Sequence, residues 1–315
     1  MTMQQTEKIK LMTKKLLLAS KRVTIEPILI KKTISILERS KATEELKAIG
    51  ECASEEIASE AITELGKLNA VEELKYLGQY APKNIAKQVV TELGKLKAIK
   101  QLEYVGRKAS FEVAKQAVEE LGKLKAVEEL KFVGENADFE VRKQAIAELG
   151  KMLPDFIANN LISELKYLKT NASWEIQNQA IDAIEKILPE FIANKSVNDL
   201  QYLGMNASDR VAIQAITELV KLRAIEELKY IGIDAKKCRP SYNVANQAIT
   251  ELGKMLPEFI DTKAVPELKY LELYASGEVR KQAIMALEKL SPKEDKEKSG
   301  EQLVWEIEEL VSSLN

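Results

Sequence analysis

A chain of 315 residues, 45% of them apolar, can bury a large interior, and its formal net charge of −2 excludes bulk attraction to nucleic acid or to an anionic membrane. There is no histidine, which removes Ser-His-Asp and Cys-His constellations, His-ligated metal sites and the commonest general base. The two cysteines, Cys52 and Cys238, lack metal-ligand spacing and point to a reducing, cytoplasmic compartment.

Residues 1 to 41 form a basic head, with ten Lys or Arg against three Glu. Residues 1–40 are expected to be an N-terminal capping helix pair whose second helix opens at Pro27. The apolar run Leu16 to Ala19 is too short for a signal sequence, and no stretch approaches the ~20 apolar residues of a membrane span. No membrane contact is expected.

Residues 41–290 repeat. Leu37, Leu65, Leu93, Leu121, Leu149, Ile184, Leu219, Leu252 and Leu287 are equivalent and lie 28, 28, 28, 28, 35, 35, 33 and 35 residues apart. The extra sevens are LPDFIAN, LPEFIAN and LPEFIDT; the extra five is KKCRP, residues 236 to 240. Each unit holds two helical patterns. The first, as in AVEELKYLGQYA, puts Val71, Leu74, Leu77 and Ala81 on one stripe and often carries a Gly that reads as a C-terminal stop. The second starts at a capping residue, Ser54, Ser110, Asp138, Ser173, Ser208 or Ser276. Neither helix can hide its stripe alone, so neighbouring pairs must stack. A charged linker, residues 291–300, and a C-terminal amphipathic helix, residues 301–315, are expected to follow; residues 291 to 315 carry three Lys against seven Asp or Glu.

Counting each second helix from its first core residue (Ile57, Ile85, Val113, Val141, Ile176, Val211, Val244, Val279) as position 0, positions 0, 4, 5, 8 and 11 are apolar throughout. At ~100° per residue they span one core arc. Position 10 is Lys in all eight units, including Lys95, Lys123 and Lys151, and lies outside that arc. Position 7 is Glu in six units, one turn before that Lys and able to pair with it. Position 3 is Gln in seven, including Gln88, Gln116 and Gln144, placed either to bond the adjacent repeat or to offer its amide to an extended peptide. Position 2 is Lys in the middle repeats: Lys87, Lys115 and Lys143. The first helices carry an aromatic row, Tyr76, Tyr104, Phe132, Tyr167, Tyr202, Tyr230 and Tyr270, expected to pack on the neighbouring first helix or on Lys stems.

The strings DFEVRKQAIAELGKM and SGEVRKQAIMALEKL resemble the HEAT-repeat (HEAT-like short-repeat) α-solenoid family, over about residues 24 to 290. That resemblance implies an all-α, right-handed α-α superhelix (HEAT-like solenoid) of about eight two-helix repeats, with N-terminal capping helices and a C-terminal helix. It also implies that the second helices line a concave groove where partners lie. The His-Glu motifs of the related deoxyhypusine hydroxylases are absent, Arg is scarce for an alkylpurine DNA glycosylase, and no bilin-lyase pattern occurs. No GxxxxGK[ST], GxGxxG or CxxC motif is present.

The expectation is therefore a non-catalytic, cytoplasmic scaffold with no cofactor and no metal, binding an acidic or extended protein or peptide segment in its concave groove. Lys87, Lys115, Lys143, Lys95, Lys123, Lys151, Gln88, Gln116 and Gln144 would contact it. Secondary candidates are Trp305, on the Glu-rich face of the last helix, and the basic insertion Lys236, Lys237 and Arg239. The alternative is a DNA- or RNA-binding protein, of repair type, that uses the Lys row. The basic head and acidic tail also suit self-association. High Lys and Glu with low Cys resembles thermophile composition.

Overall fold

The computed structural model describes residues 3–20, 27–238 and 242–290, apart from the side chains of residues 20, 27 and 234–238. Among these residues there are 21 helices and no strand: the protein is an all-α solenoid built from successive helix pairs. The expected linker 291–300 and terminal helix 301–315 lie outside the described residues. Two compact units divide the chain, Met1–Ala180 and Ile181–Asn315.

In the first unit, α1 (Met3–Ser20) and α2 (Pro27–Arg39) precede four regular pairs: α3 (Thr43–Cys52) with α4 (Glu55–Lys67), α5 (Val71–Tyr80) with α6 (Lys83–Lys95), α7 (Ile99–Lys108) with α8 (Phe111–Lys123), and α9 (Val127–Asn136) with α10 (Phe139–Lys151). A short helix α11 (Leu153–Ala158) then leads to α12 (Ile162–Asn171) and α13 (Trp174–Lys186), which runs across the division between the units. In the second unit, the short helix α14 (Leu188–Ala193) precedes α15 (Val197–Asn206) with α16 (Asp209–Lys221) and α17 (Ile225–Cys238) with α18 (Tyr242–Lys254). The short helix α19 (Leu256–Asp261) leads to the final pair, α20 (Val265–Tyr274) and α21 (Gly277–Leu290).

The periodicity explains the packing. Ile57, Ala61, Ile62 and Leu65 of α4, and their equivalents in α6 and α8, are buried, as are Leu46 and Ile49 of α3 and Leu74 and Leu77 of α5. The seven-residue insertions become the six-residue helices α11, α14 and α19. Each opens with Leu-Pro, suited to a helix's first turn, and buries its Leu and Phe, such as Leu153 and Phe156.

Two local expectations are corrected. The first-helix glycines do not end their helices: Gly78 sits inside α5, because a methyl group there would come within 2.9 Å of the Val105 side chain on α7. Gly50 and Gly78 permit close approach of successive first helices, whereas Gly106 has room for a methyl group. Ser54, Ser110, Asp138 and Ser208 do occupy N-cap positions with extended backbone, yet none makes a side-chain cap hydrogen bond. A Schellman turn ends α4, α6, α8 and α16, whereas α10, α13 and α18 run into α11, α14 and α19 and the turn follows those short helices. The Ala98 N–H donates to the Leu93 carbonyl and the Lys97 N–H to that of Gly94, both at 3.0 Å. The left-handed residue in these turns is not glycine but Lys, Asn or Arg, as at Asn69 (φ 53), Lys97 (φ 52) and Lys125 (φ 52).

Candidate functional site

Helices α6, α8 and α10 are neighbours in the first unit, so the nine Lys and Gln candidates of the middle repeats lie on three adjacent helices. Their helical angles put positions 2, 6 and 10 toward solvent, while position 9 faces the next repeat and position 7 the previous one.

That geometry explains the repeated ELGK string. A methyl group at Gly66, Gly94 or Gly122 would lie 2.9, 2.7 and 2.7 Å from the carboxylate of Glu92, Glu120 and Glu148, one repeat further on. Glycine therefore opens a seat for the next repeat's Glu, which is largely sheltered there; the Glu148 side chain is only 7% exposed. Each sheltered carboxylate pairs with its own exposed Lys one turn later, at 2.7 Å for Lys95–Glu92 and Lys123–Glu120 and 2.6 Å for Lys151–Glu148. The Glu120 hydrogen bond raises Lys123 above the ordinary lysine value. Where the next repeat has Ala in place of this Glu, the glycine meets an apolar side chain: Gly150 faces Ile176, and Gly253 faces Val279. The recurring spacing of Glu, Gly and Lys is thus a feature of the seam between repeats, and Lys95, Lys123 and Lys151 are exposed but locally neutralised.

Position 2 is less satisfied. Lys143 reaches Glu140 at 3.4 Å and lies 4.2 Å from the Phe139 ring centroid. Lys87 is half-buried and Lys115 exposed, and among the described residues no ion pair is found for either. Lys83 is already engaged with Glu112, whose carboxyl it holds below the usual range.

The glutamines divide. Gln88 donates from Nε2 to the Ser59 carbonyl at 3.1 Å, and Gln116 to the Lys87 carbonyl and the Thr91 hydroxyl, both at 3.0 Å; these are bonds to the preceding repeat. Gln144 instead donates to Glu148 of its own helix at 3.0 Å. Among the described residues Gln88 and Gln116 stitch the seam, and Gln144 supports the sheltered Glu.

Tyr76, Tyr104, Phe132, Tyr167 and Tyr270 pack on the preceding first helix, while Tyr230 is half exposed. The Lys47, Lys75 and Lys131 ammonium groups lie 5.0, 5.3 and 5.8 Å from the ring centroids of Tyr76, Tyr104 and Tyr167. Where α7 has Glu103 in place of that Lys, Arg107 bonds Glu103 at 2.7 Å and covers Phe132 instead, 4.8 Å from the centroid. Tyr167 donates to the Lys131 carbonyl at 3.3 Å and Tyr270 to that of Lys229 at 3.2 Å. Burial pushes the Tyr202 hydroxyl up to about 12 and raises that of Tyr270.

A second row was not singled out from the sequence. The first residue of α8, α10 and α13 is aromatic, and Phe111, Phe139 and Trp174 are 51%, 60% and 75% exposed. In the second unit Tyr242, at the start of α18, is 73% exposed and borders a cleft of about 690 Å³ with Lys254, Tyr274 and Arg280. Exposed aromatics at one register in successive repeats are not required by the core. The available signal was the aromatic directly after each cap residue: Ser110-Phe111, Asp138-Phe139, Ser173-Trp174.

Of the secondary candidates, Trp305 and Arg239 lie outside the described residues, and Lys236 and Lys237 belong to the end of α17, where side chains are not described. Among the described residues no group of three Cys, Asp or Glu is arranged to hold a metal ion, and no helix is long and apolar enough to cross a membrane.

No family model matches the chain, and no curated protein matches it. Similar solved structures include an engineered protein at 18% identity, covering 82% of this chain and 95% of that one, with a TM-score of 0.15. A designed armadillo repeat protein in complex with the peptide (KR)4 is 20% identical over 79% of this chain and 91% of that one, with a TM-score of 0.15. A circular tandem repeat protein is 14% identical over 98% and 67%, with a TM-score of 0.17. At TM-scores this low, the solenoid assignment rests on the chain's own helices.

Proposed function

We propose that the chain is a non-catalytic, HEAT-like scaffold that binds an extended protein segment along the solvent-facing side of its second helices, anchored in the first unit on Phe111, Phe139 and Trp174. The observation that carries this reading is the exposure of an aromatic at the same register in three successive repeats. Aromatic side chains contribute most of the energy at many interfaces and lose little entropy on binding. Neighbouring packed helices stand ~8–10 Å apart, and a polyproline II segment advances about 9.3 Å in three residues. A partner in that conformation presents one apolar side chain per repeat to this row. Lys87 and Lys115 favour acidic residues between those anchors, while Lys95, Lys123 and Lys151 contribute less because each already faces a carboxylate.

Selection from a random peptide library on the immobilised full chain tests the reading. Enriched peptides should carry apolar residues three apart, with acidic residues between them, and should bind with modest salt dependence. Enrichment of sequences without that spacing would refute the register. Binding of single-stranded oligonucleotides in preference to any peptide, with affinity falling steeply in salt, would replace it with the nucleic-acid reading, since aromatic faces beside lysines also stack bases.

A further inference from the structure

The pair α1 and α2 turns apolar side chains to solvent, where an uncovered solenoid face is normally polar. Leu11, Leu18, Ile28, Leu29 and Ile36 are 46% to 66% exposed. Between the two helices lies a cleft of about 390 Å³, lined by Leu11, Met12, Leu16 and Leu29 with Lys8 and Lys15 beside them. We propose that this cleft receives residues 301–315 of a second copy of the chain, joining copies head to tail.

Three observations select that occupant. The segment spaces Leu303, Ile307, Leu310 and Leu314 as one stripe of an amphipathic helix. It carries four Glu and no Lys or Arg, which complements Lys8 and Lys15 and the wider basic head. At 1.5 Å per residue a fifteen-residue helix is about 22 Å long, within the length of α1. The competing seat on the chain's own last repeat has the wrong charge. The cleft of about 470 Å³ beside α20 and α21 offers Ile284 and Leu290, but its ionic residues are Lys269, Glu272 and Glu288, net negative against an acidic segment. A head-to-tail contact is heterologous, so it propagates instead of closing as a two-fold dimer would. The inference is independent of the peptide-binding reading, which concerns other helices.

The test uses the full chain and two variants, Leu29→Glu in the head and Ile307→Glu in the tail, with far-UV circular dichroism confirming that each keeps its helix content. Light scattering at low salt should show the wild-type mass rising with concentration and falling again as salt is added. Each variant alone should remain monomeric. An equimolar mixture of the two should form a dimer and nothing larger, because one intact head meets one intact tail. A wild type monomeric at every concentration, a variant that associates like wild type, or a mixture that stays monomeric would each overturn the proposal.

Discussion

Replacing Gly94 by Ala tests the seam directly. In an isolated helix Gly→Ala is worth about 1 kcal/mol of added stability. At Gly94 the new methyl group would lie 2.7 Å from Glu120 Oε2, 3.2 Å from its Cδ and 3.3 Å from its Cγ. Overpacking of this kind costs about 1–3 kcal/mol, and moving the carboxylate away gives up the Lys123 pair, a further ~0.2–0.5 kcal/mol. The net expectation is destabilisation of about 1 kcal/mol, the overpacking cost exceeding the helix gain. Gly106→Ala is the control. Its methyl group would meet nothing closer than 3.6 Å, an ordinary contact with Val118 and Val133, so helix propensity should win and stability rise by roughly 0.5–1 kcal/mol. In a Glu120→Ala background the obstruction is gone, and Gly94→Ala should become stabilising, giving a coupling of about 2 kcal/mol in the double-mutant cycle. Urea unfolding followed by circular dichroism measures the wild type and the four variants. If Gly94→Ala stabilises as much as Gly106→Ala, or if the coupling is near zero, the account of the ELGK string is wrong.

Three further outcomes are expected. Lys97→Gly relieves a left-handed non-glycine residue (φ 52) and should raise stability by about 1 kcal/mol, visible as a higher thermal midpoint. Gln116→Ala removes two bonds to the preceding repeat and should cost about 1 kcal/mol, whereas Gln144→Ala, bonded only within its helix, should cost less in the same urea assay. Tyr202, pushed by burial from the ordinary tyrosine value of 10.0 up to about 12, stays neutral in the folded chain while an unfolded tyrosine ionises. Its contribution to stability is therefore complete below pH 10 and lost as pH rises from there toward 12, and Tyr202→Phe should flatten that decline.

The helix pairs were legible because the core demands period 3.6 and a repeat of 28 makes the demand visible eight times. The Glu–Lys pair within ELGK was legible too, three residues apart on one helix; the role of its glycine was not. An angle on one helix tells which way Gly94 points but not that Glu120, a repeat away, fills the space it leaves. For the same reason Lys123 looked unexplained by packing, although the carboxylate it answers is held by packing. Gln88 and Gln116 were readable as seam residues because position 3 sits just outside the core arc; Gln144 turned to its own helix instead. Phe111 and Phe139 stand at helix starts, off the core positions that periodicity picks out. Only their exposure, which periodicity cannot supply at a helix terminus, sets them apart.

The central claim is that the aromatic row anchors an extended segment. Isothermal titration of one library-selected peptide into the wild-type chain and into the triple variant Phe111→Ala, Phe139→Ala, Trp174→Ala measures it most directly. Because all three side chains are largely exposed, the variant should unfold at the wild-type midpoint yet bind at least tenfold more weakly, about 1.4 kcal/mol. Equal affinity in the folded triple variant would contradict the claim.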